Sequence, residues 1–495
     1  MESGRNRFAA AVTLAFAVLG GIGLARHEMW RDEMQAWLIP AGSASLGDLI
    51  HNLRYEGHPA LWHILLWFVT RVTTRPEAMQ VLHLAISAAA VFLFARNAPF
   101  SRPVRALFAF GYFPLYEYTV ISRNYGLGML FLFAACALFP TRRRSYLPLA
   151  GVLALLASSN PYAWLLALAF AGTLVLEPIW DRDLRASLRL GDVLPSLLLF
   201  GAAAALAAAQ MIPPPDGNFA TSWYFDLRMA RVFRVLSTVA RAWLPIPNPT
   251  EPTAWNTNLL WRLHNGAAAL IAVALMGLAV AMIGRCRRSR PALVLYLSGT
   301  AALLGFSYVK YAGYTRHHGA HFLLLLACLW IARQQDGEAQ PRKDRLLVLL
   351  LAVQVIAGAW VYGQDLVRPF SAAKATAGFL RDPRYAGMLT VGYTDSVTTP
   401  VVGYLGRPFF YPQSRSLGTY VLWNQDRELQ VPFGELCRIL RRQLRQHREG
   451  ILLVLTQPPP LCGARLKPEE LASFRDSLLP EETFGVYRLR MLPAR

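Results

Sequence analysis

Charge is scarce in this chain. Only 16% of its 495 residues are Asp, Glu, Lys or Arg, against about 25% in a soluble domain. Such a chain is no ordinary soluble enzyme. Cysteine is scarcer still: five residues, none spaced as a metal site. Cys136 and Cys328 sit in apolar runs and Cys286 in a basic break, while Cys437 and Cys462 lie near the C-terminus. The last two either pair, in an oxidising space, or stay as free thiols. No HEXXH, no Walker loop, no dinucleotide fingerprint and no Ser-His-Asp order is present, so a zinc protease, a P-loop enzyme and a nucleotide-sugar donor are not indicated. No repeat relates the two halves, which disfavours many transporter architectures.

Apolar runs fill the space left by charge. Hydrophobic residues make up 54% of the chain, in blocks near the length that crosses a bilayer. Twelve candidate spans cover roughly 8–26, 59–73, 78–97, 104–118, 125–140, 146–160, 162–178, 193–212, 261–284, 291–309, 317–333 and 345–363. The reading is a polytopic α-helical membrane protein of about 11–13 transmembrane helices. The net charge of +20 does not indicate nucleic acid. It gathers in short breaks at Arg142-Arg143-Arg144, Arg285 to Arg290, and Arg342-Lys343 with Arg345, as the positive-inside bias produces. The basic start and the apolar stretch Phe8 to Ala25 also fit a signal peptide cut after Ala25; an uncleaved first span is preferred because the stretch is long enough to cross.

Two polar loops, 26–58 and 213–258, interrupt the apolar part. In the first, Leu46, Leu49, Ile50 and Leu53 recur at helical spacing behind Ser45, a helix cap, and predict a helix lying in the interface. The second opens on Pro213-Pro214-Pro215 and is rich in aromatics, as at a headgroup layer, with Leu227 to Leu244 as another surface helix. After about residue 365 the pattern changes. MLTVGYTD, ILLVLTQ and FGVYRLRM read as strands, and FSAAKATAGFLRD and FGELCRILRRQLRQH as helices. Residues 1–364 thus form a transmembrane domain, and 365–495 a small α/β domain outside the bilayer. With the basic breaks inside, both loops and the tail lie outside. Twelve spans then fail on parity, with 59–118 and the helix after residue 218 as suspects.

Polar groups gather on the outer side. WRDEMQAW places Asp32 and Glu33 just past the first span, where acids are costly and tend to be functional. A solvated loop start with Arg31 as ion-pair partner is the plainer alternative. Arg54, Glu56 and His58 precede Pro59; Tyr116, Glu117, Arg123 and Tyr125 surround another break; Lys310, Arg316, His317 and His318 fall in FSYVKYAGYTRHHG. Cations at that depth suit an anion such as a lipid phosphate, which guanidinium forks bind bidentately. Ordinary headgroup attraction is the alternative. His63 and His83 read as satisfied helix-packing residues.

The order of these motifs resembles the polytopic GT-C glycosyltransferases, specifically bacterial members similar to protein O-mannosyltransferases and to the aminoarabinose transferase of lipid A. The likeness rests on Asp32-Glu33 after the first span, Glu56-Gly57-His58-Pro59 entering the second, Ser122-Arg123-Asn124-Tyr125 before a later one, and the late basic cluster with an external α/β domain. It covers the membrane part loosely and the first 130 or so residues best. Ala60 replaces a second proline, and Asn124 an apolar residue or proline. The resemblance implies that Asp32 is catalytic and that Glu56 and His58 line the same cavity.

On that reading the chain is an inverting membrane glycosyltransferase. It moves a sugar from a polyprenyl-phosphate donor to a glycan, lipid or protein acceptor at the periplasmic face of a bacterial inner membrane. The acceptor hydroxyl needs a base, assigned to Asp32, with Glu33 orienting it, binding acceptor or holding a metal. Arg54, Arg123, Lys310, Arg316, His317 and His318 are the expected phosphate binders. Trp30, Glu56, His58, Tyr116, Glu117 and Tyr125 are the expected cavity lining. A good phosphate leaving group removes the need for the second carboxylate that glycosidases use. No particular cofactor is indicated, and a divalent metal on Glu56, His58 and His317 or His318 is open. A flippase for a lipid-linked sugar and a non-catalytic scaffold are the competing readings.

Overall fold

The computed structural model describes residues 2–218, 222–286, 290–336, 345–463 and 466–491. The basic positions Arg287, Arg288, Arg342 and Lys343 lie outside the described residues. The chain opens with α1 (Glu2–Arg26), followed by α2 (Arg31–Gly42), α3 (Leu46–Leu53) and α4 (Leu61–Thr70). Next come α5 (Glu77–Asn97), α6 (Arg102–Ala109) and a π-helical stretch over Tyr112–Val120. Then follow α7 (Tyr125–Leu138), α8 (Leu147–Ala157), α9 (Pro161–Leu176), α10 (Arg182–Ser187) and α11 (Leu190–Met211). The bundle is completed by α12 (Met229–Trp243), α13 (Asn265–Gly284), α14 (Arg290–Val309), α15 (Thr315–Asp336) and α16 (Arg345–Val367).

Among the described residues, eight helical segments are long and apolar enough to cross a membrane: Ser3–Arg26, Glu77–Asn97, Tyr125–Arg143, Pro161–Ile179, Leu190–Met211, Asn265–Gly284, Arg290–Val309 and Arg345–Val367. The protein is a mostly helical, multi-pass membrane protein. Four expected spans take other forms. The stretch 104–118 divides into α6 and the π-helical segment, where Pro114 has no N–H to continue a regular helix. The stretches 59–73 and 146–160 hold helices of only 10 and 11 residues. The stretch 317–333 lies in α15, whose residues Thr315 to Arg333 are all buried. A helix carrying Arg316, His317, His318 and His321 is tolerated at that depth because protein surrounds it.

Side-chain contacts define two ends of the bundle. At the basic end, Arg96 donates to Asn6, Arg105 lies over Phe8, Arg142 pairs with Glu177, and Ser145 meets Asp192. At the opposite end, His27 meets Asp365, the Ala60 N–H donates to Gln210, and Asn160 donates to the Asn124 carbonyl. The helix α4 does not run between them. Its start lies at Gln210, while Trp67 and Arg71 near its end donate to carbonyls of Ser43 and Pro40. It therefore returns to the face that holds α2 and α3. Removing it from the expected twelve leaves the eight long segments, the broken α6 segment, α8 and α15. Without α4 the expected twelve become eleven, the odd number that the parity argument requires.

The helix α3 forms as its sequence dictates. Ser45 Oγ accepts the Asp48 N–H, and Asp48 accepts the Ser45 N–H in return. Leu49 and Leu53 turn inward, while Leu46 and Ile50 stay 40% exposed. The helix α12 departs from a simple surface helix. Its second half, with Val235, Val239 and Trp243, is buried in the bundle.

The tail carries α17 (Ala373–Leu380), β1 (Thr390–Tyr393), α18 (Asp395–Leu405), β2 (Phe409–Tyr411), β3 (Ser416–Gly418), α19 (Phe433–Gln446), β4 (Ile451–Leu455), β5 (Leu466–Phe474) and β6 (Phe484–Met491). The sheet order is β3-β2-β1-β4-β6-β5, with β1 parallel to β2 and β4. The three strands read from the sequence are β1, β4 and β6. The edge strand β5 escaped that reading because Pro468 and its charges mask it, and an edge tolerates proline. Leu436, Ile439, Leu440 and Leu444 of α19 cover one face of the sheet. The other face, through Leu452, Val454 and Val486, shares a core with Met34 and Trp37 of α2. Cys437 and Cys462 form a disulfide.

The traverses predict a labelling pattern. With single cysteines in a background lacking the native ones, a membrane-impermeant maleimide that reaches Arg415→Cys in the tail also reaches Thr74→Cys from the same side. Arg144→Cys is expected to react only from the opposite side. Thr74→Cys reacting together with Arg144→Cys would make α4 a true crossing.

Candidate functional site

The site begins where α1 ends. Trp30 has an extended backbone and starts α2, with Glu33 in its first turn. Glu33 is fully buried. It accepts the Trp30 N–H at 3.3 Å, the Ser122 N–H at 2.6 Å and a ring nitrogen of His27 at 2.9 Å. The other His27 nitrogen lies 2.7 Å from Asp365, at the end of α16. Burial alone would strip the proton from His27, but the Asp365 and Glu33 carboxylates hold its pKa at about 10. A buried imidazolium between two carboxylates thus pins α1, α2 and α16 together. The Ser122 contact adds the turn that carries Arg123.

With Glu33 turned inward, Asp32 faces the other way. Its Oδ2 is 3.2 Å from Arg123 Nη1 and 3.3 Å from Arg316 Nη2, and its side chain stays 30% exposed. Burial pushes the Asp32 carboxyl up, yet Arg123, Arg316 and Arg31 outweigh it and hold the group below the ordinary carboxylate range. Arg316 starts α15 and also lies 5.4 Å from the Trp30 ring centre. Among the described residues its Nε has no hydrogen-bond partner.

Asp32 opens onto a cavity of about 350 Å³ between the bundle and the tail. Arg31, Asp32 and Gln35 line it from α2, and Arg123 and Asn124 from the turn before α7. Tyr55, Glu56, His58, Trp62 and His63 form another wall, and the tail contributes Ser396, Val421 and Trp423. Gly57 takes φ 65°, which lets the chain reverse between Glu56 and His58. Gln35 donates to Glu56 at 2.9 Å and to the Val421 carbonyl at 2.7 Å, and accepts the Val421 N–H at 3.1 Å. Burial pushes Glu56 up to about 7 and His58 down to about 4, with Arg123 adding to the second shift. At neutral pH the cavity therefore holds an ionised Asp32, a partly protonated Glu56, a neutral His58 and an excess of guanidinium charge. It is suited to an anion that brings hydrogen-bonding groups with it.

The tail and α2 are fitted to each other. Arg31 N–H donates to Glu482 at 3.0 Å, and Met29 N–H donates to Tyr404 Oη at 2.6 Å. A side-chain carbon at Gly403 would collide with Met34, so glycine there lets α18 lie close against α2. The helix that carries Asp32 is thus clamped from both sides.

Several residues singled out in the sequence lie elsewhere. Glu33 does not line the cavity, because its oxygens are committed to the helix junction. Trp30 stands behind Asp32, edge-on to Trp255 at 5.1 Å. Tyr116 donates to Asp365, and Glu117 accepts from Tyr112 and Trp255; both are buried supports. Arg54 turns to Tyr55 and Asp216, and Lys310 lies over Trp223. His318 meets the Ala312 carbonyl, while His317 stacks on Tyr162 at 5.0 Å. Tyr125, Arg316 and His317 line a separate small cavity of about 20 Å³, and Arg316 meets the larger cavity only through its contact with Asp32. Arg54, Lys310, His317 and His318 are therefore not cavity cations. The conceived metal set also separates, since Glu56 and His58 line one cavity and His317 the other. Among the described residues no three His, Cys, Asp or Glu side chains gather to hold a metal. Gln35, His27, Asp365 and Trp62 carried no sequence signal, because each gains its place from residues remote in the chain. His63, read as a packing residue, lines the cavity. No protein-family model matches the chain, and no curated protein matches it either.

The two neighbouring acids are expected to respond differently to neutralisation. Glu33→Ala strands His27 and two backbone N–H groups, the kind of buried loss that costs on the order of 3–5 kcal/mol. It should lower the melting temperature in lipid nanodiscs by roughly 5 °C or more. Asp32→Asn keeps the side-chain shape and removes a partly exposed charge shared by Arg123 and Arg316, and should lower it by less than Glu33→Ala does. Equal shifts would mean that both acids hold the fold.

Proposed function

We propose that the protein is an inverting glycosyltransferase of GT-C type, using a polyprenyl-phosphate-linked sugar at the extracytoplasmic face of the membrane. The single observation that carries this reading is Asp32 held ionised between Arg123 and Arg316 at the mouth of a cavity beside the bundle. The acceptor oxygen attacks the anomeric carbon while its proton passes to the Asp32 carboxylate. The bond from that carbon to the phosphate oxygen breaks, and the electron pair leaves with the polyprenyl phosphate. A single displacement of this kind inverts the anomeric centre. Each arginine gives Asp32 only one close contact, so other guanidinium N–H groups remain to stabilise the charge developing on the phosphate.

Among the described residues, the basic break Arg142 to Arg144 lies at the end opposite the cavity, which supports a cytoplasmic location for that end. The tail disulfide supports an oxidising compartment for the other, such as a bacterial periplasm. The cavity lies at one end of the bundle rather than near its middle, which favours transfer chemistry over transport. The acceptor, whether glycan, lipid or protein, enters from the cavity's open side.

Two measurements test the proposal. In the first, wild type and Asp32→Asn are reconstituted in lipid with radiolabelled polyprenyl-phosphate sugars and a membrane extract as acceptor source. Wild type is expected to release polyprenyl phosphate, and Asp32→Asn to bind donor yet turn over at least roughly 100-fold more slowly. Equal turnover would remove Asp32 as base. Saturable binding without turnover would turn attention to flipping. The second follows the charge on Glu56, which is neutral below about pH 7 and negative above it. Donor binding should weaken as pH rises through that value, and Glu56→Gln should flatten the dependence. A Glu56→Gln profile identical to wild type would assign the pH effect to another group.

A further inference from the structure

Three residues of the cavity wall each carry an unused polar atom. Among the described residues, His58 Nδ1, Trp62 Nε1 and His63 Nδ1 are buried without a hydrogen-bond partner. Trp62 is 1% and His63 3% exposed, so neither is bathed by bulk solvent, yet all three residues line the cavity that Asp32 opens onto. Buried donors and acceptors are nearly always paired in a native fold, and leaving them unpaired is costly. Three such atoms from the stretch His58 to His63 point to a bound molecule that brings several hydrogen-bonding groups of its own.

The tail wall of the cavity is aromatic and held in place. Trp423 lines the same cavity. Its backbone is fixed by the Asn218 N–H, which donates to the Trp423 carbonyl at 2.9 Å, and its neighbour Val421 is held by Gln35. The Arg427 guanidinium backs the Trp423 ring at 4.4 Å and is itself locked by two 2.7 Å contacts to Asp395, both partners being almost fully buried. A buried bidentate pair serves here to set one aromatic ring against a polar cavity. A molecule with an apolar ring face and hydroxyl groups around its rim matches both walls.

We propose that His58, Trp62, His63 and Trp423 form a subsite for the sugar ring, next to the Arg123 and Arg316 guanidinium groups that take the anion. The subsite reads hydroxyl groups through the two histidines and the Trp62 N–H, and holds the ring face on Trp423. Because Trp423 belongs to the tail, the tail is part of the binding site and not a separate external domain. The subsite rests on the proposed lipid-linked sugar donor.

The test compares two probes by equilibrium binding to the full-length protein in nanodiscs: bare polyprenyl phosphate, and the same lipid phosphate carrying a hexose, taken from a small panel of epimers. Trp62→Phe and His63→Phe keep the ring shape and remove the polar atom; Trp423→Leu removes the ring face and Trp423→Phe retains one. Trp62→Phe, His63→Phe and Trp423→Leu are each expected to weaken the best-bound hexosyl lipid at least roughly tenfold, about one good hydrogen bond or stacking contact. Binding of the bare phosphate should change less than roughly twofold, and Trp423→Phe should preserve most of the hexose preference. Variants that weaken both probes equally would indicate a collapsed cavity and overturn the subsite. Variants that change neither would overturn it as well. If wild type binds both lipids alike, the lipid donor reading survives and the subsite fails. If wild type binds neither, the donor reading fails and takes the subsite with it.

Discussion

The carboxylate of Glu33 is the contact on which the rest of the site depends. Two of its acceptor bonds reach chain segments that would otherwise be free to move apart: the end of α1 through His27, and the turn at Ser122. His27 extends the tie to Asp365 and so to the last long helix. A buried carboxylate is stable only when its lone pairs are filled and a positive charge lies close. That requirement makes the junction rigid. It places Asp32 on the outward side of α2 and Arg123 directly beyond Ser122, so that the two meet at 3.2 Å. The adjacent acids therefore divide the work. One is spent on architecture, and the other is left to chemistry.

The cavity follows from the same balance of burial and charge. Burial disfavours every charge in it, but unequally. Asp32 keeps its charge because Arg123 and Arg316 are in contact with it. Glu56 has only an amide as its close partner and drifts toward neutrality. His58, beside Arg123, loses its proton. A pocket with fixed guanidinium groups and adjustable neighbours can take in an anion while keeping one carboxylate ionised next to it.

The tail completes this arrangement instead of standing apart. One face of its sheet is covered by its own helix α19, and the other shares a core with α2. Gln35 contacts Glu56 and the backbone of Val421, so one side chain joins the membrane part of the cavity to its tail wall. Disturbing the tail should thus disturb the helix that carries Asp32, since a packed core transmits displacement instead of absorbing it.

How much of this was readable in the chain depended on the range of the interaction. Apolar runs, the Ser45 cap, the central strands of the tail and the presence of acids after the first span are set by neighbours in sequence, through helical or strand periodicity and local hydrogen bonding. They were legible, as was the membrane class. Hydropathy could not tell a crossing from a return, because α4 is apolar for the sake of a core it shares with α2. Nor could it separate Asp32 from Glu33, which differ by one step of 100° around a helix. That step was decided by His27, Ser122, Arg123 and Arg316, and only folding brings those residues to one place. The sequence by itself determined which groups were available at that end of the bundle. The tertiary structure decided which of them are consumed in holding it together and which remain to face the cavity, because burial and pairing are properties of the assembled chain.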